Sequence, residues 1–285
     1  MKSATCTTCK IRPAVYYRKE SGEKLCLECL ERSIVKQVKR EINTWKMLGP
    51  HDVIGFLIPA EAILTSIPAF KIMSIIERKY ATKLIAIKPS NLNGLKFETE
   101  NIIEFQLPFK SSNLTEFLRF ERTEAAKISK DHGVNKIVIP HTLEFETSYF
   151  LSNILKFNLE ALGDLAPKLY SEKFNIVFVK PFRKVKSLEL LIYGYFKGLL
   201  SSLYFRKLLT PFLLLKEIYE PLDYIISLSK EHFELVISTL KTAEFFFEKI
   251  LEEYGFLNQC IFCGAKSESR ICNVCSRLYC SNSNA

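Results

Sequence analysis

Eight of the nine cysteines fall into four Cys-x-x-Cys pairs, two near each end of the chain. The first two pairs are Cys6/Cys9 and Cys26/Cys29; the last two are Cys260/Cys263 and Cys272/Cys275. No cysteine lies between Cys29 and Cys260. Two thiolates separated by a tight turn can grip one metal ion together. Two such pairs complete a tetrahedral sulfur site, the geometry zinc takes in closed structural sites. The spacing therefore predicts two zinc ions per chain. Cys6, Cys9, Cys26 and Cys29 would hold one, and Cys260, Cys263, Cys272 and Cys275 the other. Paired repeats of this kind are the metal pattern rather than a disulfide framework. Cys280 is left over and reads as a thiol in a polar tail, with replacement of one ligand of the second site as the alternative.

These pairs need short hairpins and turns to hold them, and the sequence supplies two such modules around a longer middle. Residues 1–31 read as a zinc ribbon, with a strand-like Ala14-Val15-Tyr16-Tyr17 and a Ser21-Gly22 turn between the cysteine pairs. A helix follows over 31–47, where Ile34, Val35, Val38, Ile42 and Trp45 fall at helical spacing, and Gly49-Pro50 ends it. The middle alternates short apolar strands (53–58, 83–87, 102–107, 136–139, 175–179) with helices (62–80, 114–132, 147–162, 188–200). Gly133 is placed to close the second of these helices, 114–132. Two more helices are expected over 219–229 and 231–254. This alternation predicts an α/β fold with a doubly wound parallel sheet covered on both faces. The expected division is 1–48 for the first ribbon and its helix, 49–256 for the α/β domain, and 257–285 for the second ribbon.

With 48% hydrophobic and 25% charged residues, the 285-residue chain is globular in composition. The most apolar region, 188–222, is broken by Glu189, Lys197, Arg206, Lys207 and Lys216, so it reads as buried helices and not as a membrane span. Metal-spaced cysteines and the absence of an export signal after Met1 point to the cytoplasm. Two four-thiolate zinc sites would lower the formal charge of +9 to about +5. Residues 1–50 hold eleven Lys/Arg against five Glu. A basic zinc module suits a polyanion such as RNA, although a Lys-rich surface is also a feature of heat-adapted proteins. Lys10, Arg12, Arg18 and Lys19 lie beside Tyr16 and Tyr17, a mixture of bases and rings found on RNA-stacking surfaces and equally able to form a packing face. Phe245-Phe246-Phe247 reads as core or as a subunit contact, because three adjacent rings cannot all face inward on one helix.

The order ribbon, helix, α/β domain, ribbon resembles the PP-loop ATPases that thiolate uridines in tRNA, whose sheet is of the adenine nucleotide alpha hydrolase type. The resemblance rests on Cys6-Thr7-Thr8-Cys9, Arg12, Ala14, Ser21-Gly22, Leu25-Cys26-Leu27-Glu28-Cys29 and Ile34 at one end. At the other it rests on Cys260-Ile261-Phe262-Cys263-Gly264 and Cys272-Asn273-Val274-Cys275. In the middle, Gly133 followed by His141, Leu143 and Glu146, and Lys180-Pro181 followed by Glu189, resemble two further family segments.

What this resemblance implies about activity meets three departures. The family's phosphate loop, Ser-Gly-Gly-Lys-Asp-Ser, is matched here by Ile58-Pro59-Ala60-Glu61-Ala62-Ile63. Pro59 has no N–H, Ala60 restricts close approach, and Glu61 sets a negative charge where the family has a cation. The family's acidic pair near His141 is matched by Glu144 and Phe145, of which Glu144 alone could bind a cation, so magnesium is not expected. The family's central cysteines, which hold an iron–sulfur cluster or carry sulfur, have no counterpart in residues 109–119. No iron–sulfur cluster is therefore expected, and ATP binding is not expected either. His141 reads as a helix-start or core histidine, and Glu146 as a cap of the 147–162 helix.

Taken together these imply a pseudoenzyme: a non-catalytic paralogue that serves as a structural or tRNA-binding partner in tRNA 2-thiouridine formation. Its implied partners are tRNA and a catalytic PP-loop thiolase, or a second copy of itself in a homodimer, with the 245–247 helix or the first ribbon helix at the contact. Two alternatives stay open: an active tRNA-modifying enzyme with a rebuilt site, and a stand-alone zinc RNA-binding protein.

Overall fold

The computed structural model of the protein describes residues 4–80, 82–90, 92, 99, 101–107, 111, 113–200 and 216–280, with the backbone alone at 216–220. Residues 108–110 and 112, the apolar segment 201–215 and the tail 281–285 lie outside it. So do parts of two expectations, the stretch compared with the family's central cysteines and the apolar region 188–222.

The first cysteine module is an antiparallel hairpin, β1 (Tyr16–Arg18) against β2 (Glu23–Leu25), followed at once by α1 (Leu27–Trp45). The helix begins four residues earlier than its apolar spacing predicts, because Cys26 takes an extended conformation and serves as its N-cap. The second Cys-x-x-Cys pair thus straddles the helix start. Lys46, in the left-handed conformation, ends the helix.

A six-stranded sheet follows, built from β3 (Val53–Leu57), β4 (Lys83–Pro89), β5 (Ile102–Phe105), β6 (Lys136–Val138), β7 (Lys168–Ser171) and β8 (Ile176–Val179). The strand order is β5-β4-β3-β6-β8-β7, parallel except for β7, which pairs antiparallel with β8 at the edge. The expected doubly wound sheet is present, with this one antiparallel strand added. Side chains alternate between two apolar clusters. Phe56, Ala86, Val138 and Val179 enter one, while Leu57, Ile85, Ile137 and Phe178 enter the other. A strand that buries both faces reads as a continuous apolar run, which is why these strands were visible in the sequence. The helices α1, α2 (Ile63–Glu77) and α6 (Ser187–Phe196) pack together on one side, and α3 (Leu114–Ser129) lies over β3, β4 and β5.

Three expectations need correction. The helix expected over 147–162 is instead α4 (Leu143–Leu155) and a separate turn of helix, α5 (Leu159–Leu162). It starts early because the Leu143 N–H bonds Val185 O at 3.0 Å, leaving Thr142 as the N-cap. Phe157, at φ 52°, breaks it before α5. Strand β7 was missed, although Lys168-Leu169-Tyr170-Ser171 alternates exposed and buried residues as an edge strand does. The helix expected over 231–254 is interrupted: Phe233–Phe245 runs into a π-helical turn, Phe246–Ile250. That turn divides the three adjacent rings. Phe245 is 55% exposed, Phe246 sits 5.8 Å from the Phe150 ring, and Phe247 lies beneath the Lys266 ammonium.

The first cysteine module shares the main apolar cluster with the sheet through Leu25, Leu30 and Ile34. The second has a small cluster of its own around its cysteines. It docks through β10 (Lys266–Ser267), which pairs with β9 (Asn258–Gln259). The Lys266 N–H donates to Gly163 O at 3.1 Å. A Cβ on Gly163 would stand 2.2 Å from Lys266 O, a backbone atom that cannot swing away. Gly163→Ala should therefore destabilise the protein by ~1–3 kcal/mol, the usual range for overpacking. A urea midpoint equal to that of the wild type would contradict this close approach.

Candidate functional site

In an open α/β sheet, ligands bind beyond the carboxyl ends of the strands where the strand order reverses. Here that point lies between β3 and β6. The loop leaving β3 carries Glu61 in a single 3₁₀ turn, Ala60–Ala62, before α2 begins. The chain leaving β6 carries His141 just before α4. Their side chains meet: His141 Nε2 lies 2.9 Å from Glu61 Oε1, and its Nδ1 lies 3.3 Å from Glu146 Oε1. Glu146 is paired with Lys180 Nζ at 2.8 Å, and Lys180 also donates to Asp164 O at 2.7 Å. The Phe145 ring covers His141 at 4.0 Å. The cavity left among these groups is about 20 Å³, room for one water, whereas ligand pockets run to about 300–1,000 Å³.

Each acidic side chain here is used internally. Glu146 is a first-turn residue of α4 rather than a cap before residue 147. Burial works against its charge, but Lys180 and the His141 contact hold its carboxyl down at about 2. Glu144, the candidate cation ligand, accepts the N–H and hydroxyl of Ser187 at 2.8 and 2.9 Å and caps the start of α6. Glu121 reaches up from α3 and accepts the Ala60 N–H at 2.9 Å. Composition alone gave no sign of Glu121, which is 1% exposed in the middle of an amphipathic helix.

Next to this cluster, Arg119 and Arg122 share Asp164, at 2.9 and 2.5 Å, and Arg119 also holds Glu160 at 2.9 Å. Glu160 in turn accepts the Val274 N–H at 3.3 Å, linking the second cysteine module to the sheet. The fully buried Arg119 guanidinium is close enough to Cys263 and Cys272 to feel their charge.

The cysteines gather as their spacing predicts. The four Sγ atoms of Cys6, Cys9, Cys26 and Cys29 lie within 4.8 Å of one another, and so do those of Cys260, Cys263, Cys272 and Cys275. Cys280 is exposed and outside either set. The two sets are built alike. Each first pair closes a turn, with Lys10 N–H on Cys6 O at 2.9 Å and Gly264 N–H on Cys260 O at 2.8 Å. Lys10 and Gly264 are both left-handed, at φ 58° and 74°. Each second pair sits at a helix N-terminus, where the dipole favours thiolate. The Cys9–Cys26 and Cys263–Cys272 sulfurs are 3.8 Å apart, about the edge of a tetrahedron with ~2.3 Å metal–sulfur bonds.

The four basic residues singled out near the first module do not form one free surface. Lys10 and Lys19 are exposed, and Arg12 pairs with Glu28. Arg18 turns inward, onto Glu189 Oε1 at 2.7 Å, Glu23 at 2.7 Å and Ser33 at 3.0 Å, fastening the module to α6.

No protein-family model matches the chain. It is 21% identical over 313 residues to cytoplasmic tRNA 2-thiolation protein 1 of Dictyostelium discoideum, spanning 97% of this chain and 83% of that protein. It is 22% identical over 223 residues to the protein of the same name from Xenopus laevis, spanning 68% of this chain and 65% of the other. Its fold matches that of the U34-tRNA thiolase NcsA from Methanococcus maripaludis with its 4Fe–4S cluster. The TM-score is 0.65 at 19% identity, covering 97% of this chain and 96% of that one.

The chain has the PP-loop α/β fold. Together the similarities show that fold and a sequence likeness to tRNA 2-thiolation proteins. They also correct one expectation. An iron–sulfur cluster was excluded because no thiolate lies between Cys29 and Cys260. That exclusion does not stand: the structural neighbour carries such a cluster, and each four-cysteine set here is the donor set that a cluster takes. The absence of a central thiolate says nothing about the eight at the ends.

Glu61 and Glu121 line the same small cavity, close enough for Glu121 to feel the charge of Glu61, and this has a measurable consequence. The second carboxyl oxygen of each is buried without a donor, and two facing acceptors need a proton between them. Burial first, and then the charge of Glu61, push the Glu121 carboxyl well above its ordinary range, against the Ala60 N–H. Stability from a raised carboxyl is complete below the unfolded value of ~4.3 and is lost as pH rises toward and through the folded value. Glu121→Gln keeps the acceptor and supplies a permanent neutral donor. It should match the wild type at about pH 4 and melt at a higher temperature at about pH 9. Parallel melting curves across that range would contradict a shared proton.

Proposed function

We propose that the chain is a non-catalytic member of the tRNA-thiolating group, a structural or tRNA-binding partner of a catalytic PP-loop thiolase in cytoplasmic 2-thiouridine formation. The observation that carries this reading is the Glu61 carboxylate seated on His141, at the point where the fold would bind a nucleotide's phosphates. A fixed negative charge there opposes a second one, and the Pro59-Ala60-Glu61 sequence lacks the glycines and lysine that would bind it. The lack of any cysteine between Cys29 and Cys260 removes a central sulfur relay. The names of the two relatives supply the connection with tRNA 2-thiolation and with the cytoplasm.

In this reading, the segments 1–48 and 257–285 are metal modules on either side of a degenerate PP-loop domain, 49–256. Cys6, Cys9, Cys26 and Cys29 hold one metal ion; Cys260, Cys263, Cys272 and Cys275 hold another. The 3.8 Å sulfur spacing supports zinc. Bound metal would supply folding energy to modules too small to stand by apolar burial. A second reading, an active enzyme with a rebuilt site, is favoured by a cavity of about 260 Å³ on the other side of the Glu61 loop, lined by Thr65, Thr142, Ser187 and Leu191.

Purification of the tagged full chain from its native host tests the proposal. We expect a catalytic PP-loop thiolase in stable complex with it, or failing that a homodimer, and sulfur-bound zinc by elemental analysis and X-ray absorption. A monomer with a catalytic relative present and unbound would overturn the partner role, and iron in the four-cysteine sets would overturn the zinc assignment.

A further inference from the structure

Helix α1 carries a charge arrangement that neither cysteine module nor the sheet cluster uses. Arg32, Lys36, Lys39 and Arg40 stand at helical spacing, so at ~100° per residue they fall within one arc of about 100°. The stripe is about 12 Å long at ~1.5 Å per residue. Arg32, Lys36 and Arg40 are exposed and Lys39 is half-buried.

The helix's acids are all engaged elsewhere. Glu28 pairs with Arg12. Glu31 accepts the Tyr193 hydroxyl at 2.8 Å and pairs with Lys197 at 3.0 Å. Glu41, 3% exposed, accepts Trp45 Nε1 at 2.9 Å and pairs with Lys184 at 3.0 Å. None of the four stripe bases has a side-chain hydrogen bond or ion pair among the described residues; Lys39 feels the charge of Glu77.

The stripe is also the crest between two grooves. One, of about 560 Å³, is lined by the four bases together with Glu31, Val35, Asn43 and Ile75. The other, of about 340 Å³, is lined by Lys36 and Arg40 again, with Lys186, Glu20, Glu189 and Phe233. Lys36 and Arg40 therefore face both. The acids in these grooves are each paired, Glu20 with Lys186, Glu189 with Arg18 and Glu31 with Lys197, so among the described residues the stripe is the unpaired charge of this face. An extended, solvated polyanion fits it. A membrane does not, since the stripe offers no apolar wedge.

We propose that this face of α1 is the RNA-binding surface, with Arg32, Lys36, Lys39 and Arg40 contacting successive backbone phosphates. The proposal rests on the tRNA-partner reading above, and it moves the contact from the ribbon residues Lys10, Arg12, Arg18 and Lys19 to the helix behind them. Phosphate contacts release counterions, so each one removed should lower the slope of log affinity against log salt by about 0.7–0.9.

The test uses the full metal-loaded chain and an unmodified tRNA transcript, titrated at several salt concentrations. The variants are the quadruple Arg32→Gln, Lys36→Gln, Lys39→Gln, Arg40→Gln, the single Lys36→Gln and Arg40→Gln, and the ribbon pair Lys10→Gln, Lys19→Gln. We expect the quadruple variant to lose at least about tenfold in affinity and about 3 in slope, the single variants to lose proportionate shares, and the ribbon pair to bind as the wild type. The single exposed substitutions keep the result readable should the quadruple variant melt early. If the stripe variants bind unchanged while the ribbon pair weakens, the surface is elsewhere and the tRNA reading survives. If the wild type itself does not bind tRNA, both fall. If polyglutamate binds the wild type as tightly as tRNA and loses the same slope in the variants, the face receives an acidic protein and the RNA assignment is wrong.

Discussion

The contact between Glu61 and His141 organises the centre of the molecule. It joins the loop after β3 to the chain after β6, the two strands between which the sheet reverses its order. Through Glu146 and Lys180 it continues to α4 and to the end of β8. Buried charges of this kind hold an arrangement because each needs the others. Removing one partner leaves an uncompensated charge and costs ~3–5 kcal/mol. The loop that would otherwise stay open to an incoming anion is thereby drawn onto the protein's own histidine. Glu121, accepting the Ala60 N–H, fixes the loop from the side of α3.

Outside that centre, the chain is fastened at both ends by charge and by sulfur. Arg18 ties the first cysteine module to Glu189 of α6, and Lys186 ties it again to Glu20 at 2.6 Å. Arg119 and Glu160 hold the second module against α3 and α5. Both four-cysteine sets place two thiolates at a helix start and two on a turn with a left-handed residue after it. In each module the metal-binding pattern and the fold are thus the same fact. The helix that carries Cys29 also presents the basic stripe on its outer side.

Much of this was legible in the sequence, for identifiable reasons. Cysteine spacing is a covalent pattern that tertiary context does not rewrite, so both sets of four could be read directly. Fully buried strands such as Val53–Leu57 leave unbroken apolar runs, and the doubly wound sheet follows from their alternation with helices. Edge strand β7 escaped because a short Lys-Leu-Tyr-Ser segment carries little apolar weight. The early starts of α1 and α4 escape a reading of apolar spacing because their N-caps, Cys26 and Thr142, add nothing to it. The charge on Glu61 could be read as hostile to phosphate, but not that His141 would receive it, since the two are eighty residues apart. Arg18 illustrates the opposite error: an arginine beside tyrosines looks like an RNA contact until its partner 171 residues away is known. The stripe on α1 was present in the spacing of Arg32, Lys36, Lys39 and Arg40. It became visible once the helix acids were seen to be committed inward.

The central claim is that the closed Glu61–His141 cluster has replaced catalysis. The most direct measurement is an in vitro assay of the purified, metal-loaded chain for ATP-dependent transfer of sulfur to tRNA, with a catalytic PP-loop thiolase as the positive control. The account predicts no thiolated nucleoside from this chain alone, and none from Glu61→Gly. Turnover by the wild-type chain, abolished by His141→Ala, would contradict it.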